Sequence, residues 1–258
     1  MEQMGTAKQV TGTWGAPIYF YESLGSTNDE AKRLAHMGAP HGTTVTARCQ
    51  TAGKGRLGRS FYSPADAGMY VSVVLRPQMP AEQSLLITSA AAVAAARAIE
   101  RVSGVSVKIK WVNDLYFTGK KLCGILSEAS LGADGHPEFV VVGIGVNLTR
   151  ESFPPELQET TTSILESGGR PVTPWVLLEE TVGELLHVCA QLEERAFLSE
   201  YRARSCVLGK QVRLIGGGHD RVVYALAIDD NAHLVVQSLE GERFIVGSGE
   251  ISIRGDWR

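Results

Sequence analysis

The part of the sequence with the clearest chemistry is QTAGKGRLGRSF, from Gln50 to Phe61. Three glycines and three cations fall within positions 53–59. Glycines let backbone N–H groups approach a ligand closely, and lysine and arginine supply positive charge that anionic oxygens would neutralise. This spacing predicts a loop that holds an anion and is mobile until the anion binds. A solvent-exposed basic turn is the alternative, because runs of charge usually face water.

The surroundings of this loop exclude one familiar nucleotide-binding motif. Residues 53–60 match the phosphate-binding pattern GxxxxGK[ST] except that Arg59 stands where the lysine would be. A loop of that type must open a helix, whereas Pro64 and Gly68 interrupt any helix that could follow here. We therefore predict that the loop joins two strands, and we reject a nucleotide triphosphatase.

Further polar and cationic residues lie at the ends of predicted strands. They are Lys110, Asn113 and Asp114 after VKIKW, and Lys120, Lys121 and Gly124 in KKLCGIL. Each has an ordinary structural explanation, since lysines protect strand edges and Asn–Asp pairs favour turns. Together with the loop, they indicate one pocket for a ligand with two neighbouring anions, such as a carboxylate beside a phosphate.

Another group of polar side chains lies nearer the start of the chain, at Ser26, Thr27 and Asn28. Thr27 is followed three residues later by Glu30, which is the spacing of a capping box and predicts that a helix begins here. Ser26 and Asn28 are not needed for that cap. Their hydroxyl and amide groups are therefore free to face a ligand.

The composition is that of an ordinary globular protein. The 258 residues are 44% apolar and 21% charged, with a formal net charge of −3. The length suits one large domain or a large and a small one, and the charge argues against general binding to nucleic acid. No apolar export signal begins the chain, so we expect a cytoplasmic protein without a membrane anchor.

The four cysteines form no CxxC pair, so neither a disulfide framework nor a zinc site is indicated.

The remaining pattern predicts an α+β fold. After a loose leader at 1–15, we expect strands at PIYFYESL, TTVTARC, MYVSVVLRP, VKIKW, KLCGILSEAS and FVVVGIGVNL. Helices are expected after Thr27, Pro80 and Pro174, gathered on one side of a mixed sheet. Short strands then predict a small all-β module, so the expected domains are 1–204 and 205–258.

One turn of this small module, AIDDNAHL, carries a more specific expectation. Asn231 is expected to adopt the left-handed conformation there.

In combination, these motifs resemble those of biotin protein ligases, also called biotin–[acetyl-CoA-carboxylase] ligases. The resemblance rests on SerThrAsn at 26–28, QTAGKGRLGRSF, KWVNDLYF, KKLCGIL and VVVGIGVNL, in that order and followed by a small β module. It spans roughly residues 18–258. It implies a class II synthetase-like catalytic domain, a C-terminal SH3-like β-barrel and a monofunctional ligase without a DNA-binding domain. We accordingly expect no repressor activity.

The resemblance implies a reaction in two steps. Biotin carboxylate attacks the α-phosphate of Mg²⁺-bound ATP to give biotinyl-5′-AMP and pyrophosphate, and a lysine of a carrier domain then takes the acyl group. Cations must offset the repulsion between the two anions, and by resemblance Arg56 and Lys121 have this catalytic role. The implied partner is the biotin carboxyl carrier protein or domain of acetyl-CoA carboxylase or of another biotin-dependent carboxylase.

The resemblance also implies which residues bind each substrate. Those for biotin are Ser26, Thr27, Asn28, Gln50, Gly53, Lys54, Arg56, Lys121, Gly124 and Gly143. Those for ATP and the adenylate are Arg56, Arg59, Phe61, Lys110, Asn113, Asp114 and Asn147, with Asp114 as the residue for Mg²⁺. These assignments contain one conflict, because strict alternation along a strand places Lys121 and Gly124 on opposite faces.

Two alternative functions would use the same pocket. A non-catalytic protein would hold biotin or a related acid without ATP, and a related acyl ligase or transferase would act on lipoate or octanoate. ATP-dependent pyrophosphate release with biotin tests the first alternative, and a trial with lipoate tests the second. Exposed edge strands would also suit a sheet-to-sheet homodimer.

Overall fold

The large domain is built on a mixed sheet of eight strands. The structure is a computed structural model that describes residues 7–80, 83–133, 135–215, 221–247 and 250–252. The strand order is β1-β2-β3-β4-β8-β7-β6-β5, with β2 and β3 parallel and the other pairs antiparallel. The strands are β1 (Lys8–Thr11), β2 (Pro17–Leu24), β3 (Thr44–Gln50), β4 (Gly68–Leu75), β5 (Lys108–Lys110), β6 (Asp114–Phe117), β7 (Lys120–Leu131) and β8 (Pro137–Asn147).

Within the described residues, five α-helices accompany the sheet. They are α1 (Thr27–His36), α2 (Ser84–Ser103), α3 (Pro155–Thr160), α4 (Pro174–Ala190) and α5 (Phe197–Arg204). The alanines of α2 between Ala90 and Ala98 are fully buried, and their small side chains let this helix pack closely. α2 ends at Gly104, whose left-handed conformation (φ 81°) favours glycine. None of the described helices combines the length and the apolar character needed to cross a membrane.

The two faces of the large sheet bury different cores. Successive side chains of a strand point to opposite faces. Accordingly, Val71 and Val73 of β4 pack in the core that contains α2 and α4, whereas Val74 packs with α1. The predicted α+β class is therefore confirmed. The expectation that the helices gather on one side of the sheet is wrong for α1, which covers the face opposite to α2 and α4 because its own apolar side is buried there.

The C-terminal part forms a separate antiparallel sheet of five strands, and the predicted small all-β module is confirmed. Its order is β12-β11-β10-β9-β13. These strands are β9 (Gln211–Ile215), β10 (Arg221–Ile228), β11 (Leu234–Ser238), β12 (Arg243–Val246) and β13 (Glu250–Ser252).

The turn between β10 and β11 differs from the sequence-based expectation. Ala232 has the positive φ, 64°, and Asn231 does not. The carboxylate of Asp229 explains the difference, because its Oδ1 accepts hydrogen bonds from the backbone N–H groups of Asn231 and His233 at 2.9 and 2.8 Å. These bonds hold the two residues on either side of Ala232.

Other expectations about local structure are wrong in detail. The expected leader contains β1, which pairs with β2, while residues 1–6 lie outside the described part. The helix expected directly after Pro80 begins at Ser84, and FLSEYRARS forms α5 instead of a turn. Both α3 and β13 have no counterpart in the prediction.

The predicted capping box is also wrong. Ser26 is the N-cap of α1, and its side chain makes no capping hydrogen bond. The hydroxyl of Thr27 donates instead to Gln50, and Glu30 forms an ion pair with Arg33. The polar residues at the start of α1 are therefore available to line a cavity.

Candidate functional site

The loop from Gln50 to Phe61 closes over one end of the large sheet. It connects β3 to β4, as predicted, and helps to enclose a cavity with an empty volume of about 460 Å³. The predicted site residues on the wall are Ser26, Thr27, Asn28, Gln50, Lys54, Arg56, Phe61, Asn113, Lys121, Gly124 and Gly143. The predicted residues outside this wall are Gly53, Arg59, Lys110, Asp114 and Asn147.

Gln50 holds the polar end of the cavity together. Its Oε1 accepts hydrogen bonds from the backbone N–H of Thr27 at 2.8 Å and from the Thr27 hydroxyl at 3.0 Å. Its Nε2 donates to Ser63 Oγ at 2.9 Å, and the Ser63 hydroxyl donates in turn to the carbonyl of Phe61. Helix α1, strand β3 and the end of the loop are thereby fixed relative to one another.

Asn28 is fully engaged with other protein groups. Its Nδ2 donates to Glu128 at 2.8 Å and to the carbonyl of Leu126 at 3.3 Å, and its Oδ1 accepts from Ser72 at 2.6 Å. A Cβ atom on Gly143 would lie only 2.1 Å from this Oδ1. The space beside Gly143 is therefore taken by Asn28, which shapes the wall of the cavity.

Ser72 and Glu128 are residues of this site that the sequence analysis missed. Ser72 is fully buried, and its Oγ lies 2.8 Å from the hydroxyl oxygen of Thr27. A polar residue within the apolar run MYVSVVL is the signal that would have pointed to it. No comparable signal exists for Glu128, whose sequence context is that of a solvent-facing charge.

The narrow loop requires glycine at position 53. A Cβ atom there would lie 2.4 Å from the carbonyl oxygen of Phe61. The reason is that the Phe61 N–H donates to the Gly53 carbonyl and closes a tight hairpin. At its tip, Leu57 and Gly58 have positive φ values of 55° and 74°. Close backbone packing therefore accounts for Gly53, and the left-handed tip accounts for Gly58.

A chain of charges fastens the loop to α1 and β7. Lys54 lies 2.6 Å from Asp29, and Lys32 lies 3.2 Å from Asp29 and 2.8 Å from Glu128. Burial acts to raise the pKa of Asp29, but hydrogen bonds from Lys54 and Lys32 outweigh it and lower that pKa. Burial likewise acts to lower the pKa of Lys32, and its bonds to Glu128 and Asp29 raise it. Asp29 and Lys32 therefore both stay charged at neutral pH.

The two predicted catalytic cations reach the cavity from different elements. Nη1 of Arg56 donates to Asn113 Oδ1 at 3.1 Å, and Nζ of Lys121 lies 2.7 Å from Asp114 Oδ1. That oxygen of Asp114 is buried and has no hydrogen-bond partner, so its contact with the Lys121 ammonium is an ion pair without hydrogen-bond geometry. The consecutive residues Asn113 and Asp114 thus hold one cation each.

Lys121 and Gly124 face the same cavity, so the conflict raised by strict alternation is resolved. In the pairing of β6 with β7, Leu115 lies opposite Cys123, and the next residue of β6 lies opposite Lys121. Leu122 is therefore an extra residue that forms a β-bulge. Both Leu122 and Cys123 point into the core, and Lys121 and Gly124 on either side point to the cavity.

A second cavity, with an empty volume of about 610 Å³, adjoins the first. Phe61 and Lys121 line both cavities, and Asn147 lines the second. Lys110 lies near it, with Nζ 3.4 Å from the hydroxyl of Tyr116, a residue of its wall. Arg59 lines neither cavity and is exposed. The two cavities therefore meet beside Phe61 and Lys121.

Asp114 is a single carboxylate near the junction of the two cavities. Over the ranges that the structure describes, no group of three or more His, Cys, Asp or Glu side chains is placed to hold a metal ion. Mg²⁺ is commonly bound by one or two carboxylates together with substrate phosphates. The buried Asp114 Oδ1 already lies 2.7 Å from Lys121 Nζ, so a cation that enters with a nucleotide would share this carboxylate with the lysine.

Comparison with known proteins agrees with this arrangement. The family model for the Biotin/lipoate A/B protein ligase family matches residues 20–147, the segment that contains every predicted site residue. The fold and the site are those of a ligase, and the chain belongs to the biotin protein ligases of this family.

Individual relatives show the same similarity along most of the chain. It is 32% identical over 247 residues to the bifunctional ligase/repressor BirA of Bacillus subtilis, which covers 90% of this chain and 72% of that protein. It is 32% identical over 237 residues to the biotin–[acetyl-CoA-carboxylase] ligase of Mycobacterium tuberculosis, with 88% and 85% covered. The biotin protein ligase from Aquifex aeolicus in complex with biotin and ATP superposes with a TM-score of 0.76 and 26% identity, over 92% of this chain and 98% of that chain. The resemblance drawn from the sequence motifs is therefore confirmed.

Proposed function

We propose that the protein activates biotin with ATP and transfers it to a lysine of a carrier domain. An oxygen of the biotin carboxylate attacks the α-phosphorus of ATP, and pyrophosphate leaves to give biotinyl-5′-AMP. The lysine amine then attacks the acyl carbon, an amide bond forms, and AMP and a proton are released. The acceptor is the biotin carboxyl carrier protein or domain of acetyl-CoA carboxylase or of another biotin-dependent carboxylase.

The observation that carries this proposal is the junction of the two cavities at Phe61 and Lys121. Two anionic substrates that react with each other need separate binding spaces that meet at their reacting groups. The ammonium of Lys121 at this junction and the guanidinium of Arg56 on the first cavity offset their repulsion. Cations fixed in advance also stabilise the charge that builds up as pyrophosphate leaves.

Biotin is assigned to the first cavity. Ser26, Thr27 and Gln50 hydrogen-bond its ureido group. Gly124 contributes to the wall beside the rings, and the ends of Lys121 and Phe61 extend into the space next to it. Lys54 and Gly53 belong to the loop that closes over it. Asn28 and Gly143 contribute to the shape of the wall, because the side chain of Asn28 fills the space where a side chain on residue 143 would stand.

ATP is assigned to the second cavity. Asn147 lies on its wall to read the adenine, and Phe61 lies between the nucleotide and biotin. Arg59, Lys110 and Asn113 attract the phosphates. Mg²⁺ would be held by Asp114 together with those phosphates, where it would neutralise their charge.

Several coarser expectations accompany this function. We propose that the two domains divide at residues 204 and 205, and that the protein works in the cytoplasm without nucleic-acid or membrane partners. The sheet order leaves β1 at one edge, and its four residues, Lys8–Thr11, are all exposed. An edge of this kind suits a sheet-to-sheet homodimer.

The experiment that tests the proposed function combines the protein with ATP, Mg²⁺, biotin and a carrier domain, and then weighs the carrier by mass spectrometry. A mass increase of one biotinyl group is expected, and pyrophosphate should appear before carrier is added. Unmodified carrier together with no biotin-dependent pyrophosphate release would refute the activity.

Two controls separate the alternative functions. A non-catalytic binding protein would bind biotin without releasing pyrophosphate from ATP. An acyl ligase of the lipoate type would modify its carrier when lipoate or octanoate replaces biotin. The proposed function requires that biotin be preferred to both.

A further inference from the structure

One buried hydrogen bond connects the C-terminal module to the site residues of the large domain. The indole Nε1 of Trp111 donates to the carbonyl of Ala232 at 2.9 Å. Trp111 is 3% exposed and Ala232 is fully buried, although 121 positions separate them in the sequence. Trp111 lines neither cavity, so its side chain cannot touch a ligand in them.

The turn that presents this carbonyl is held rigidly by its own side chains. Asp229 accepts two backbone hydrogen bonds, from Asn231 and His233, and its Oδ2 lies 3.1 Å from His233 Nδ1. Ala232 adopts its left-handed conformation between these anchors. The module therefore offers the indole an acceptor in a fixed position.

A second buried hydrogen bond fixes the residue that follows Trp111. The hydroxyl of Tyr201 on α5 donates to the carbonyl of Val112 at 2.9 Å, and both residues are buried. The next two residues are Asn113 and Asp114, which hold Arg56 and Lys121. The segment before Asn113 is thus held by two hydrogen bonds, from Trp111 to the C-terminal module and from Tyr201 of α5 to Val112.

We propose that the turn Asp229–His233 positions Asn113 and Asp114 for catalysis through the indole of Trp111. Loss of the indole N–H leaves the Ala232 carbonyl without this donor and loosens the segment that orients both cations. Preorganised charges lose effect in the transition state when they are displaced, while binding of biotin at Thr27 and Gln50 is unaffected. The kinetic part of this inference rests on the proposed function.

The test compares Trp111→Phe with Trp14→Phe, because Trp14 Nε1 also donates to a backbone carbonyl at 2.9 Å, that of Gly42. Trp14 lines neither cavity. In biotin-dependent ATP–pyrophosphate exchange, kcat should fall about tenfold in Trp111→Phe, equivalent to about 1.4 kcal/mol, with KM for biotin unchanged. Trp14→Phe should retain kcat. An equal response of the two variants would overturn the inference.

Hydrogen exchange gives a readout that does not depend on activity. The backbone amides of residues 113–117 should exchange faster in Trp111→Phe than in the wild type and in Trp14→Phe. Equal rates of hydrogen exchange at these amides would overturn the positioning role. This holds even if the wild type shows no ATP–pyrophosphate exchange activity. An inactive wild type with faster exchange in Trp111→Phe would instead contradict only the proposed function.

A second pair of variants changes the turn that presents the Ala232 carbonyl and leaves Trp111 unchanged. Asp229→Ala removes the acceptor of both turn hydrogen bonds, whereas Asp229→Asn keeps an oxygen for them. The alanine variant should lower kcat and speed exchange at 113–117, and the asparagine variant should recover both. If Asp229→Ala behaves as the wild type in both measurements, the turn does not position the site.

Discussion

The side-chain nitrogen of Lys121 lies 3.1 Å from the place where a Cβ atom on Gly124 would stand. The β-bulge at Leu122 makes this possible, since it turns two residues three positions apart to the same face of the strand. Phe61 Cε2 lies at the same distance from that point. Gly124 thus leaves space into which both Lys121 and the Phe61 ring at the junction of the cavities extend.

The first prediction concerns this space. Gly124→Ala should push Lys121 and Phe61 apart and lower the rate of adenylate formation. The loss of stability should be small because both neighbours are ends of side chains that can move. Gly183→Ala is the matched control, since that glycine lies in α4 with nothing near its Cβ position and should be neutral or gain up to about 1 kcal/mol. ATP–pyrophosphate exchange and thermal unfolding measure the two effects, and equal kinetics of the two variants would count against the role of Gly124.

The second prediction tests Lys121 directly. Lys121→Ala should slow biotin-dependent ATP–pyrophosphate exchange by about a hundredfold or more, because a preorganised charge at the reacting groups is lost. Lys120→Ala is the control: the neighbouring lysine donates to the carbonyl of Gln158 and lines neither cavity. Exchange at the wild-type rate in Lys121→Ala would remove this residue from the catalytic machinery.

The third prediction concerns retention of the adenylate. Arg56→Gly should let biotinyl-5′-AMP escape, because the loop loses its hydrogen bond to Asn113 across the cavity. Bystander proteins should then become biotinylated, and free adenylate should appear in a filtrate. Ala52→Gly introduces flexibility into the same loop at an exposed residue outside both cavities, and it should retain the intermediate. Tight retention in Arg56→Gly would contradict the assigned role.

The fourth prediction concerns Ser72, which the sequence analysis missed. Ser72→Ala removes a hydroxyl between Thr27 and Asn28 and should raise KM for biotin by a factor corresponding to about 0.5–1.5 kcal/mol, with a smaller effect on kcat. Ser103→Ala removes another buried serine hydroxyl, which donates to the Ile99 carbonyl far from the site. It should change stability without changing KM, and the same KM in both variants would show that Ser72 has no part in the site.

The fifth prediction concerns pH and the ion pair between Lys54 and Asp29. The folded-state pKa of Asp29 is lowered, so its contribution to stability is fully present above the ordinary carboxyl pKa, near 3.8, and is lost as pH falls through the lowered value. Both side chains are nearly half exposed, so the pair should contribute only about 0.2–1 kcal/mol. A double-mutant cycle of Asp29→Asn and Lys54→Met should give a constant coupling energy between pH 5 and 8. A coupling energy that changes within that range would contradict the assignment.

The candidate site was predictable from sequence where its chemistry is local. The loop and the residues opposite it can be identified from their glycines, their cations and the Asn–Asp turn. Charge and freedom in φ are properties of a residue itself and do not depend on distant parts of the chain. Pro64 and Gly68 likewise decided that the loop joins strands. Most strands were also visible, because their β-branched and apolar runs do not depend on distant contacts.

The sequence by itself thus determined the family and the residues that could bear charge. Only the tertiary structure decided which of them meet. The bulge at Leu122 depends on the pairing of β7 with β6, and the placement of Ser72 against Asn28 depends on how α1 lies on the sheet. The contact of Trp111 with Ala232 joins the end of β5 to the C-terminal module. The contacts of Ser72 and Trp111 arise between segments far apart in the chain, whereas the bulge arises within the hairpin of β6 and β7. The energy of all three depends on packing that no local pattern of residues encodes.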